Sequence, residues 1–468
     1  MASLSRRGFM GTAMLAPGVA AAGAVGDGNA DDTAALQEAA AQGGVLDLAP
    51  GTYRITKPVV LDTTKTGYTG VRGAQGTARI VMAGPGPAIR VVGGHEGTAD
   101  PNSVAEHTWE SERFPVLTGF EVVGAHAEAD GIELLRTMQC VIDGVSIREC
   151  RYGIHLVMRN RNPIIANCHI YNCTDSGIFM DGCNLHQFNI VGNHISYCGH
   201  GGIRQFNGDV HNVQITGNDI EYNAGFDGIS GEILLEAPDS GLISEYTIAS
   251  NTIQARPEHL GSNIAVLGRD NDYTIGCFAI TGNVLGSRNK NVYLRNAGRG
   301  FTITGNTIYT GKLMNLHLQH CENVLISGNS VQSSSARHGF GDANGIVLED
   351  CAGCMVDANI LRAAHAGSEE HGGDISLVRC RDTAVQSCQV FSPRFRGIYL
   401  EDCARCRIAN NSVLAEQDPA RMRAAIAVTG DCKNNMVLHN AVSRGTETCI
   451  AGCDGKHNVA DGNLVMES

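Results

Sequence analysis

The chain has 468 residues, of which 18% are charged, and a formal net charge of −13. It carries no long basic stripe, which argues against nucleic acid as a partner, and no uncharged apolar run of about 18 residues follows the N-terminus, so no downstream helix is expected to cross a membrane. The acidic balance also disfavours a polyanionic substrate unless a local basic cleft overrides it.

The chain opens with Ser5-Arg6-Arg7-Gly8-Phe9-Met10, a weakly apolar run to about Val19, and the small residues Ala20-Ala21-Ala22-Gly23-Ala24. This resembles the twin-arginine pattern of bacterial export, with cleavage near residue 24. It implies a periplasmic or extracellular protein whose mature part, 25–468, is one domain.

Next come Gly26-Asp27-Gly28-Asn29-Ala30-Asp31-Asp32-Thr33-Ala34-Ala35-Leu36-Gln37 and Gly43-Gly44-Val45-Leu46-Asp47-Leu48-Ala49-Pro50-Gly51-Thr52-Tyr53. Together they resemble the opening of the pectate-lyase-like β-helix superfamily, shared with phage tailspikes and rhamnogalacturonase-type proteins. The resemblance implies an all-β, right-handed parallel β-helix with an N-terminal cap helix. Asp31 or Asp32 is the expected cap of a helix over Ala34–Ala40, which would close the open end of the solenoid against edge pairing. Gly51-Thr52-Tyr53 is the expected start of the first coil.

From about residue 117 one pattern recurs with a period of about 20–35 residues, the mark of a solenoid. A strand such as Gly397-Ile398-Tyr399-Leu400-Glu401 is followed by a polar turn and a second strand near Gly-Asn-x-Ile. Copies of that asparagine are Asn193, Asn218, Asn251, Asn283, Asn306 and Asn329, with degenerate copies at Asn359, Asn411 and Asn440. Alternation points Ile398 and Leu400 inward and Tyr399 and Glu401 outward. An asparagine fixed at one turn of every coil predicts a side-chain ladder. A leucine-rich repeat would need denser leucine, and a β-propeller more than one tryptophan.

The 17 cysteines keep to this repeat. Cys351-Ala-Gly-Cys354 and Cys403-Ala-Arg-Cys406 look like zinc half-sites when read singly, yet both follow equivalent strands. Export in the folded state implies folding in a reducing compartment, so most of the cysteines are expected to be free, inward thiols acting as small apolar filler.

The outer face of the Gly-Ile-x-Leu-x strands is the expected substrate surface. Its outward pairs include His155 with Val157, Phe179 with Asp181, Arg204 with Phe206, Leu234 with Glu236, Tyr293 with Arg295, and His317 with Gln319. Aromatic and charged groups together suit sugar rings and hydroxyls. Asp181 and Glu236 fall two coils apart, roughly 10 Å at the stacking distance. Inverting glycosidases hold their carboxyl groups about 6.5–9.5 Å apart. Arg204 lies between them. A hydrolase would use Asp181, Glu236 or Glu232 as acid and base, with Glu236 donating the proton and Asp181 kept ionised by Arg204. A lyase would abstract the proton next to a uronate carboxylate through Arg204, His200 or Arg295.

The expected catalytic residues are therefore Asp181, Glu236, Arg204 and Glu232, with His155, His200, Asp227, Tyr293, Arg295 and His317 binding substrate. His200 sits in a Gly-His-Gly turn that resembles a polygalacturonase element, but the rest of that pattern is missing and no role carries over. No cofactor is expected, although the acidic groups Asp227, Glu232 and Glu236 suggest calcium. The expected partner is a carbohydrate, with neither nucleic acid nor, after signal removal, membrane, on a monomer or homotrimer. The expected reaction is cleavage of a glycosidic bond; the alternatives are a noncatalytic glycan-binding surface, a glycosyl-transferring enzyme and an epimerase.

Overall fold

A computed structural model describes residues 19–20, 23–97, 100–223, 225, 229–256, 258–270, 275–332, 345–362, 366–416 and 421–466. Arg6, Arg7 and Asp227 lie outside the described residues. Every strand pairing is parallel, and each strand pairs with its counterpart one coil along. The chain is an all-β, right-handed parallel β-helix, the hand that parallel crossovers take.

Each coil contributes to three sheets in turn. In one coil the strand Ser176–Val191 runs through the first and second sheets, and His194–Ser196 belongs to the third. The first sheet stacks Ile132, Ile154, Ile178, Ile203, Ile233 and Ile264 in register. The same column continues through Val292 and Leu316 to Ile450. These side chains are fully buried apart from Ile450. At about 25 cal/mol per Å² of apolar surface, such columns are the main source of stability.

The asparagine ladder forms between the second and third sheets. Asn193 accepts from the backbone N–H of Cys168 at 2.9 Å and donates Nδ2 to Ile165 O and to Asn218 Oδ1, both at 3.0 Å. The relay repeats through Asn251, Asn283, Asn306, Asn329 and Asn359 at sequence separations of 33, 32, 23, 23 and 30 residues. Cys388 takes one rung before Asn411 and Asn440 resume it. One fixed rung absorbs very different loop lengths because extra residues leave the coil elsewhere.

The cap helix is Thr33–Ala40, and Leu36, Ala39 and Ala40 join the main core. Of the two expected caps, Asp31 makes the side-chain bond and Asp32 does not. Asp32 holds the N-cap position, but its carboxylate accepts from the backbone N–H of Val25 and Gly26. Asp31 Oδ1 accepts from the N–H of Thr33 instead, at 3.0 Å. Gln37 seals the edge of the first sheet. Its amide donates to Val60 O and accepts from Val60 N–H, at 3.2 and 2.8 Å, which removes an unpaired strand edge. The next strands are Gly44–Leu48 and Gly51–Ile55. Val19–Ala20, inside the segment expected to be removed, pairs with Leu46–Asp47.

All 17 cysteines are free thiols. Most are buried, but Cys277 is exposed and Cys449 and Cys453 are half-buried. The expectation that most thiols are free and inward therefore holds, with Cys277 as the exposed exception.

Candidate functional site on the outer face of the first sheet

Two outward columns run along the first sheet. One carries His155, Phe179, Arg204, Leu234, Ala265, Tyr293 and His317; the other carries Val157, Asp181, Phe206, Glu236, Leu267, Arg295 and Gln319. Asp181 and Glu236 are thus two coils apart in one column, with Phe206 between them. The face is not freely solvated. Leu234 is 0% exposed, and Leu234, Ala265 and Leu267 form a small apolar cluster with Tyr293 outside the main core. This cluster separates two polar groups.

The lower polar group centres on Arg204 and His155. Arg204 Nε lies 3.4 Å from Glu236 Oε2, and its NH1 lies 3.7 Å from Asp175. Its guanidinium stacks over Phe179 and Phe206 at 4.9 and 5.4 Å. His155 Nε2 lies 3.2 Å from Asp181 Oδ2, and its ring is parallel to Phe179. Two expectations are corrected here. The partner of Asp181 is His155, not Arg204, and Arg204 serves Glu236 and Asp175. An arginine in the first outward column leans toward either neighbouring coil, and here the Asp175 turn lies within its reach.

Glu232 is also corrected. It is not on the outer face; it is fully buried, with Oε1 2.5 Å from Arg288 NH1. Asn223 donates to it from backbone and side chain. The reason is local. The residue before the inward Ile stands at the corner of the coil, where alternation is interrupted. In the following coils that corner holds Asn263, Asn291 and Asn315, a buried ladder with 2.7 and 2.6 Å rungs. One coil below it holds Gly202, where a Cβ would meet Ile220, Asn223 and the Glu232 carbonyl within 3 Å. With Glu232 inside and Glu236 on Arg204, these two of the three acids suggested for calcium do not converge.

The upper polar group is more compact. His317 Nδ1 lies 2.9 Å from Lys290 Nζ, and Nε2 lies 3.2 Å from Glu349 Oε2. The Tyr293 ring stacks on His317 at 5.1 Å, with the Lys290 ammonium 3.9 Å from its centroid. Tyr293 OH donates to Gln319 Oε1 at 2.9 Å. Arg295 has no carboxylate partner among the described residues, and its Nε is buried without a hydrogen bond. Burial, aided by Arg295, holds Lys290 below the usual amine range, while Glu349 opposes the shift. Burial and the Lys290 charge likewise lower His317, and burial raises the Tyr293 phenol.

The sequence frame reached Tyr293, Arg295 and His317 but missed Lys290. Alternation hides it: extended backward from Arg295 and Tyr293 it points Asn291 outward and Lys290 inward, but Asn291 is buried at the corner, and the break in alternation there carries Lys290 to the outer side. His200 stands at the edge of this sheet. Its backbone N–H bonds Asp175 O at 2.8 Å, and its buried Nε2 has no partner. Beside it, a cavity of about 600 Å³ is lined by Tyr197, Cys198, Gly199, Tyr222, Arg256 and His259 among others.

No curated protein matches the chain. A family model described as a right-handed beta helix region matches residues 116–253. A second, described as periplasmic copper-binding protein (NosD), matches residues 335–468. The solved structure of pre-mature bacteriophage phi29 gene product 12 aligns with a TM-score of 0.52 at 13% identity, covering 95% of this chain and 57% of that one. The A-module of the Azotobacter vinelandii mannuronan C-5 epimerase AlgE6 aligns with a TM-score of 0.40 at 13% identity, covering 95% and 98%. The catalytic unit of the GH87 alpha-1,3-glucanase from Streptomyces thermodiastaticus aligns at 0.41 and 14% identity, covering 97% and 69%. The right-handed beta helix model agrees with the parallel pairing of the strands, and the chain is a right-handed parallel β-helix.

Proposed function

We propose that the protein is an exported carbohydrate-active enzyme that takes a uronate-containing saccharide along the outer face of its first sheet and breaks a glycosidic bond by β-elimination. The observation that carries this reading is the placement of His317 between Lys290 and Glu349, with Tyr293 and Arg295, whose Nε has no partner, beside it. In its neutral form, Lys290 removes the proton on the carbon next to the uronate carboxylate. Arg295 faces the negative charge that gathers on that carboxylate. The electron pair of the broken C–H bond becomes the new C=C bond as the C–O bond to the leaving sugar breaks. Tyr293, whose raised phenol keeps its proton, protonates the departing oxygen. His317, held neutral by burial and by Lys290, orients the amine. Arg204 and the ring of Phe206 hold neighbouring sugars.

Among the described residues no helix is long and apolar enough to cross a membrane; export rests on the Arg6-Arg7 pattern.

A second reading, hydrolysis by Asp181 and Glu236, is favoured by their shared column two coils apart. A panel of uronate and neutral polysaccharides separates the two. Elimination yields the ultraviolet absorbance of an unsaturated uronate, and hydrolysis yields reducing ends without it. Absorbance that persists in Lys290→Met would overturn the assignment of the base, and absence of both products across the panel would overturn the enzyme reading.

A further inference from the structure

We infer that His194, Asp219 and Glu221, on the outer face of the third sheet, bind a divalent transition-metal ion that clips two adjacent coils together. The site lies on a different sheet from the proposed reaction and does not depend on it. Asp219 stands directly above His194 in register, and Glu221 above Ser196. One ligand atom from each of the three lies within 4.8 Å of the others. An ion about 2.1 Å from each atom would draw them together by small side-chain rotations.

Three separate features point to a ligand there. The His194 ring is 40% exposed, but its Nε2 is shielded from solvent and makes no hydrogen bond; Glu221 Oε1 lies 3.6 Å away. The other oxygen of Glu221 is fixed by Gln254 Nε2 at 2.9 Å, the kind of outer-shell bond that orients a ligating carboxylate. Neither acid has an arginine or lysine partner among the described residues, whereas Asp47, Asp130, Asp350 and Asp382 each pair with an arginine one coil away. The two carboxylates therefore share only the His194 imidazole as a neighbouring base.

The donor set selects the ion. One imidazole and two carboxylates suit zinc, cobalt, nickel or copper(II), and a nitrogen ligand disfavours calcium or magnesium. No cysteine takes part. Asp219 is exposed, so the remaining coordination positions face solvent.

The test uses the mature chain without an affinity tag, titrated with Co²⁺ alone and then with Zn²⁺ alone. The expected result is one equivalent of Co²⁺ with visible d–d bands of nitrogen and oxygen ligation, displaced by Zn²⁺, together with a rise in Tm. His194→Ala and Asp219→Asn should each abolish binding, and both are outward positions that leave the coil intact. Gln254→Leu should weaken it about tenfold. Unchanged Co²⁺ binding in His194→Ala or Asp219→Asn, cobalt–thiolate charge transfer in place of nitrogen and oxygen bands, or no binding at all would overturn the site.

Discussion

Glu232 and Arg288, 56 residues apart, meet inside the solenoid with Oε1 and NH1 2.5 Å apart and neither side chain exposed. Burial pushes the Glu232 carboxyl up to about 8 against the pull of Arg288 and Asn223. A carboxyl raised on folding binds a proton that the unfolded chain has already released. Its contribution is therefore full below about pH 4.5, its unperturbed value, and is lost as pH rises toward 8. Tm measured from pH 5 to 8 should fall in the native chain, and Glu232→Gln should flatten that slope. Arg288→Met removes a buried hydrogen-bond donor from the Glu232 carboxyl and should cost about 1–3 kcal/mol for each group left unsatisfied, read by denaturant unfolding.

The Lys290 centre predicts a pH profile. The amine must be neutral to act as a base, so kcat/KM should rise with pH through the lowered lysine pKa. Glu349 raises that pKa. Glu349→Gln should therefore move the acid limb to lower pH, and Lys290→Met should reduce turnover by about 10²-fold or more. A profile that Glu349→Gln leaves in place would show that the limb belongs to another group.

The asparagine ladder predicts a local cost. Asn283 accepts from the backbone and amide of Asn251 and donates to Ile248 O and Asn306. Asn283→Ala strands buried donors on one side and a carbonyl on the other, at about 1–3 kcal/mol for each group left unsatisfied. Hydrogen exchange should rise first in the adjoining coils. Protection equal to that of the native chain would mean that the rung contributes nothing.

Thiol chemistry separates Cys277 from the rest. Burial, reinforced by Asp181 against a backbone hydrogen bond, pushes the Cys183 thiol up to about 12, and neither the thiolate nor a reagent is available there. A thiol reagent should modify Cys277 quickly in the folded chain, and all 17 thiols only after unfolding without reductant. Recovery of only one or two thiols from the unfolded chain would indicate disulfides.

The amino-acid sequence by itself determined the solenoid, because stacking depends only on local signals repeated in every coil. Ile178 and Met180 alternate inward, and Asn193 recurs as Asn218 and Asn251, so register follows without knowledge of the loops. The same logic aligned Asp181 with Phe206 and Glu236 correctly. Tertiary structure alone decided what each side chain touches. Arg204 could have served Asp181 or Glu236, and the nearby Asp175 turn settled its direction. Glu232 has outward parity in the sequence, but the coil turns one residue before the inward isoleucine and carries it inside to Arg288. Lys290 and His317, 27 residues apart, become neighbours only because successive coils rise about 4.8 Å. Period-two alternation is a property of the strand, whereas corners and side-chain partners are properties of the packed coil.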